Sequence, residues 1–196
     1  MNHPARLALA PDEFLAWESR QERKYELVNG IARMMAGGTF AHTLIARSLT
    51  IALAARLKGK PCQPFFERKV SMPRGNYRYP DVVVDCGRNA MADLAAKEPR
   101  VVFEVESPST TTLEQLERLE DYQSVASITT IVLLAQTRAQ GRVFFRDGAG
   151  WRSISIAGMD AAAPIDDLAI SLPFAEIYDG VEFPTPDQAD AAPGKD

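Results

Sequence analysis

Glu104 and Glu106 stand one residue apart in an apolar run, Arg100-Val101-Val102-Phe103-Glu104-Val105-Glu106. β-Branched and aromatic residues at this density form a strand. Side chains alternate across a strand, so Glu104 and Glu106 share a face with Val102, while Val101, Phe103 and Val105 face away. Two like charges inside a sheet cost free energy unless a cation or hydrogen bonds offset it. A second apolar run, Tyr79-Pro80-Asp81-Val82-Val83-Val84-Asp85, also carries acids. Carboxylates on neighbouring buried strands are the ligands a hard divalent cation takes. Asp81 and Glu104 are the leading pair. A Mg²⁺ or Mn²⁺ held by both would lower the pKa of a bound water and offset charge on a phosphate. Glu106 either extends that site or points to solvent at the strand end. Asp85, followed by Cys86-Gly87, reads as a solvated strand end.

Other candidates have plainer alternatives. Arg118 lies one helical turn after Glu114 and one before Tyr122. It is either a surface ion pair with Glu114, which adds about 0.2–0.5 kcal/mol, or a fixed cation facing a phosphate. His42, at the start of a long helix, reads as a cap or packing residue. Glu26, between Tyr25 and Leu27, reads on its own as an exposed acid on an edge strand. No P-loop, dinucleotide fingerprint or zinc spacing is present. Ser107 lacks the glycines of a nucleophile elbow, which excludes a hydrolase triad of that kind.

The elements that must position these residues follow from pattern. Pro11 to Trp17 opens a helix, with Asp12 and Glu13 complementing its dipole. Lys24–Val28 and Ile31–Met35 flank Asn29-Gly30, a strong hairpin signal because both turn positions accept positive φ. Thr39 to Lys58 carries Leu44, Ile45, Leu49, Ala52, Leu53 and Leu57 at helical spacing, and Gly59 stops it. Phe65 to Met72 and Tyr77 to Val84 read as two strands around Pro73-Arg74-Gly75-Asn76. After the Glu104 strand, Ser107 to Thr112 supplies caps for a helix ending near Val125. Thr129–Ala135, Arg142–Phe145 and Trp151–Ile156 read as strands, and Pro173–Tyr178 as a short helix. This order predicts an α+β (mixed α/β) layer around one sheet.

The chain has 196 residues, 46% of them hydrophobic, which suits one domain with a real core. Net charge is −4 and the pI about 5.3, so no bulk attraction to nucleic acid or an acidic membrane follows. The two cysteines, Cys62 and Cys86, match no metal or redox spacing, and free thiols in a reducing cytoplasm are the simple expectation. The first residues lack the apolar core of a signal peptide, and no apolar run is long enough to span a bilayer.

The motifs also form a recognisable series. Glu-Phe-Leu-Ala-Trp-Glu (13–18), Tyr-Glu-Leu-Val-Asn-Gly (25–30), Met-Ala-Gly-Gly (35–38), Tyr-Pro-Asp-Val-Val-Val (79–84), Phe-Glu-Val-Glu-Ser-Pro-Ser-Thr (103–110) and Pro-Phe-Ala-Glu-Ile-Tyr (173–178) occur in that order. The series resembles the Uma-type family of restriction-endonuclease-like proteins, within the PD-(D/E)XK nuclease superfamily. The resemblance runs over one domain, residues 11–183; residues 1–10 read as a flexible start, and 184–196, rich in Pro, Ala and Asp, as a disordered tail. It implies a mixed central sheet flanked by helices. It places the signature Pro-Asp on Pro80-Asp81, the second acid on Glu104 and a further acid near the metal on Glu26. The superfamily lysine falls on Glu106. The family's own lysine, on the following helix, falls on Arg118. Arginine stays charged and cannot act as a base, yet it can still stabilise charge on a phosphate. The resulting expectation is an endonuclease using Mg²⁺ or Mn²⁺ on DNA. Asp81, Glu104 and Glu26 would serve the metal, and Arg118 and Glu106 the chemistry. The alternative is a nuclease fold that binds nucleic acid or protein without cleaving. A homodimer is left open.

Overall fold

The computed structural model describes residues 7–107 and 110–184. The chain order is α1 (Pro11–Glu18), β1 (Tyr25–Val28), β2 (Ile31–Met34), α2 (Phe40–Leu57), β3 (Gln63–Phe66), β4 (Val70–Ser71), β5 (Tyr77–Arg78), β6 (Val82–Asp85) and β7 (Pro99–Glu106). It continues with α3 (Thr112–Ser124), β8 (Thr130–Ala135), β9 (Gln140–Asp147), β10 (Gly150–Ala157), β11 (Ala162–Ile165), β12 (Ile170–Pro173) and α4 (Phe174–Ile177). The central sheet runs β10-β9-β8-β7-β6-β3. Only β7 and β8 are parallel; the other pairings in it are antiparallel. A parallel pair needs a crossover connection, and α3 supplies it. The sheet is therefore mixed and flanked by helices, as the sequence predicts.

Strand alternation sets the layers. Val82, Val84, Val101, Phe103, Val105, Val132, Leu134, Val143 and Phe145 face α2 and α4. Val83, Val102, Ile131 and Phe144 face the other way, against Tyr122, Val125 and Ile128 of α3 and its exit. Thr39 caps α2, its Oγ1 accepting from the His42 backbone N–H. Thr111 and Glu114 close a reciprocal capping box on α3. By length and composition α2 is apolar enough to cross a bilayer, contrary to the sequence reading. Its buried face, including Ile45, Leu49 and Leu53, is spent on the core instead.

Three expectations change. First, the single sheet is replaced by a central sheet, a second sheet ordered β2-β1-β5-β4 and a β11-β12 pair that the sequence reading missed. The expected strands Phe65–Met72 and Tyr77–Val84 each break and change sheet. Glu67 sits at φ 44° between β3 and β4. Pro80, without an N–H to donate, lies between β5 and β6. This double bend carries β1 up to the central sheet's acids.

Second, Asp85 is 1% exposed, not solvated. It accepts from the N–H groups of Gly87, Lys97 and Glu98 at 3.0, 3.0 and 2.8 Å, and from Asn89 Nδ2 at 2.8 Å. Burial pushes its carboxyl up, but these donors outweigh burial and hold it below the usual range. It anchors the loop between β6 and β7. Third, Cys62 and Cys86 are bridged, with Cα atoms 3.9 Å apart. They lie one step beyond the paired residues Gln63 and Asp85, directly opposite across β3 and β6. Spacing in sequence cannot show that register. Residues 185–196 of the expected disordered tail, and residues 1–6 of the expected flexible start, lie outside the described residues. Ala8 bridges Ile31.

The bridge closes a separation of 24 residues, and chain-entropy reasoning assigns such a loop about 3 kcal/mol. Reduction is expected to lower the thermal midpoint by about 6–12 °C. Cys62→Ser is expected to melt like the reduced wild type and to ignore reductant. Two free thiols titrating in the native, unreduced protein would contradict the bridge.

Candidate active site

Asp81 and Glu104 come together because β6 and β7 are antiparallel neighbours. They lie one residue beyond the pair Val82 and Phe103, and both line a cleft of about 450 Å³ at the end of the central sheet. Asp81 Oδ2 accepts from the Val105 N–H at 2.7 Å, which ties it across the strand gap. Its Oδ1 lies 2.9 Å from His42 Nε2. That hydrogen bond, more than any other cause, raises the His42 pKa, against the opposing effect of burial. His42 is thus a site residue that the sequence reading assigned to capping or packing. The missed signal is its place one turn inside a capped helix whose start faces the sheet end.

Glu104 is 8% exposed and meets two donors on α3. Tyr122 Oη and Arg118 Nη1 both donate to Oε1, the latter at 3.1 Å. Oε2 accepts no hydrogen bond among the described residues. Burial pushes the Glu104 carboxyl up to about 7; Arg118 pulls it down and the Asp81 charge adds to the rise. Tyr122 is completely buried, and that burial raises its own hydroxyl well above its ordinary value. It stays a donor.

Glu26 arrives from the second sheet. Its Oε1 accepts from Arg118 Nη1 and the Tyr79 N–H, each at 3.1 Å. Its Oε2 accepts from Arg118 Nη2 at 3.2 Å and Arg78 Nη1 at 3.1 Å. Both oxygens are therefore engaged by cations or backbone, and Glu26 is buried rather than an exposed edge acid. Arg78, also buried, continues to Asp121 through Nε at 2.7 Å. Asn76 Nδ2 donates to the same carboxylate at 2.9 Å. The sequence reading missed Arg78 and Asp121, although Arg78 sits in the same Tyr-Arg-Tyr-Pro-Asp run as Asp81.

Arg118 does not pair with Glu114, which is occupied as a cap. It spans Glu26 and Glu104, and beside Glu104 its pKa rises well above the ordinary value. Glu106 also lines the cleft and is half-buried. Burial pushes its carboxyl up, against Arg142 and Arg138. Among the described residues it shares no hydrogen-bond partner with Asp81, Glu104 or Glu26. Among the described residues, no group of three or more His, Cys, Asp or Glu is placed to hold a metal. The groups that could hold a cation are the carboxylates of Asp81 and Glu104. That set fits magnesium's habit of resting on one or two carboxylates, with waters and a substrate phosphate completing the shell.

A mixed sheet with paired acids at its end, backed by a basic residue on the crossover helix, defines a restriction-endonuclease-like class of protein. The chain belongs to the Uma2 family, described as "Putative restriction endonuclease", whose family model matches residues 11–175. It is 27% identical over 179 residues to the uncharacterized protein slr1290 of Synechocystis sp., covering 89% of this chain and 94% of that one. It is also similar to the crystal structure of a "putative nuclease belonging to DUF820" from Anabaena variabilis. The TM-score there is 0.71 at 16% identity, over 87% of this chain and 97% of that one. This likeness concerns the fold.

The raised Glu104 pKa has a definite sign. Its neutral form is favoured by folding, so its stabilising contribution is full below about 4.5 and is lost as pH rises through about 7. His42 acts in the same sense, its contribution being lost as pH rises above the ordinary histidine range. Without divalent metal, Glu104→Gln is expected to gain on wild type as pH rises from 4.5 to 8, by up to about 3 kcal/mol. Urea unfolding in EDTA across that range measures it. A difference independent of pH would mean that Glu104 stays ionised throughout.

Proposed function

We propose that the protein is a divalent-metal-dependent DNA endonuclease. The observation that carries this reading is the meeting of Asp81 and Glu104 across β6 and β7 on one cleft, with a cation fixed beside them. Asp81 and Glu104 would hold Mg²⁺ or Mn²⁺. When bound, such an ion activates water and offsets charge on the scissile phosphate. His42 orients Asp81 through Nε2, as outer partners of metal-binding carboxylates do. Tyr122 and Arg118 fix Glu104 through Oε1, and its carboxylate would be the second group to hold the ion. Glu26 acts as the anchor of Arg118 and Arg78 rather than as a ligand, because each of its oxygens already accepts two hydrogen bonds, whereas each Asp81 oxygen has one partner among the described residues. Arg118 supplies permanent positive charge at the cleft wall, where a phosphate bearing developing charge would lie. It supplies no base, since a guanidinium does not deprotonate.

That last property supports a second reading, a nuclease fold that binds DNA without cutting it. Nicking of a supercoiled plasmid and of a single-stranded circle, with Mg²⁺ and with Mn²⁺, separates the two. Weak cleavage by the wild type is expected. Asp81→Ala should reduce it by at least ~10²-fold, and His42→Ala by about 10–100-fold. Arg118→Lys, which restores an amine, should raise the rate. Retained DNA binding with no cleavage by the wild type or by Arg118→Lys, under either metal, would replace the endonuclease with the binding module.

A further inference from the structure

A second pocket of about 310 Å³ adjoins the active cleft, and the two share Glu106, Gln115, Leu119 and Leu133 in their walls. The strand register shows how they connect. Glu104 pairs with Leu133 on β8, Leu133 with Arg142 on β9, and Arg142 with Ser155 on β10. Residues directly opposite in a sheet point to one face. Glu104, Leu133, Arg142 and Ser155 therefore form a row across the α3 side of the sheet. Strands are spaced about 4.8 Å apart, so Arg142 stands roughly 10 Å from Glu104, the reach of one or two nucleotides along a strand. Arg142 and Arg138 are both exposed and line this pocket. The far wall is the first half of α3, where Leu116 is 51% exposed beside the half-buried Leu119.

We propose that this second pocket is the track for a flanking single strand of DNA. Arg142 and Arg138 take its phosphates, and Leu116 packs on an unstacked base or sugar. The proposal rests on the endonuclease reading for its polarity, in that the strand leads away from the Asp81–Glu104 cleft. A single strand suits the face better than a duplex. Two arginines answer two phosphates, and a chain of net charge −4 adds no bulk attraction for the second backbone of a duplex. An exposed leucine on the rim has no use against a stacked duplex, but it can cover a splayed base. Glu106 lies between the two pockets and keeps the track from being wholly basic.

Fluorescence anisotropy in EDTA, with a labelled 12-nucleotide single strand and the matching duplex, tests the track apart from catalysis. The wild type is expected to favour the single strand. Arg138→Gln/Arg142→Gln should weaken that binding about tenfold or more and flatten its log-affinity dependence on log salt by about 1.4, since each lost single-strand phosphate contact removes about 0.7. Arg152→Gln is the control, because Arg152 lies over the Phe145 ring on the opposite face. It should bind as the wild type does. Cleavage by the wild type together with unchanged binding by the double variant would overturn the track and leave the endonuclease standing. Binding lost in the double variant, in a wild type that never cleaves, would keep the track and remove the endonuclease. Tighter binding of the duplex, or no binding by the wild type, would overturn the track.

Discussion

One guanidinium holds together carboxylates that come from two different sheets. Glu26 belongs to the second sheet and Glu104 to the central one, and Arg118 reaches both from the helix that crosses between β7 and β8. Without it, two acids would face each other in a poorly solvated corner, where an uncompensated charge is far costlier than a paired one. This pairing joins the second sheet, α3 and the central sheet at the wall of the cleft. Arg78 extends it to Asp121, so the same helix is tied twice to the second sheet.

The pairing also explains why the acids of the site differ in character. Glu26 is wholly engaged by cations and a backbone donor. Among the described residues Glu104 is engaged on one oxygen, and its burial keeps its proton affinity high. Asp81 is held by a backbone N–H and by His42. Three carboxylates drawn together by one fold thus differ in character: an anchor, a reluctant anion and an oriented acceptor. Membership of the Uma2 family gives the frame for these roles. Arginine at position 118 suits this place, because a delocalised, permanently charged fork can bind two carboxylates where an amine would be a point charge.

Much of this was legible in the sequence. The Asn29-Gly30 hairpin, the capped helices and the apolar strands around Asp81 and Glu104 are local features, set by turn chemistry, capping and side-chain alternation within a few residues. The candidate acids could be named because charge inside an apolar run is conspicuous. The order of motifs pointed to the family, which the family match bears out.

What the tertiary structure decided concerns partners, and partners are set by register and by bends. Whether Glu26 is exposed or buried depends on β3–β4 and β5–β6 breaking at Glu67 and Pro80 and changing sheet, which alternation alone does not reveal. Whether Cys62 meets Cys86 depends on a strand pairing between distant segments. Asp85 looked solvated because its neighbours are small, but a loop that folds back supplies the backbone donors that bury it. His42 looked like a cap because its helix was legible and its target, one strand end 39 residues later, was not. The sequence determined which residues are costly to bury. The fold decided which neighbour offsets each one, because hydrogen bonds and ion pairs act over a few ångströms in space, whatever the distance along the chain.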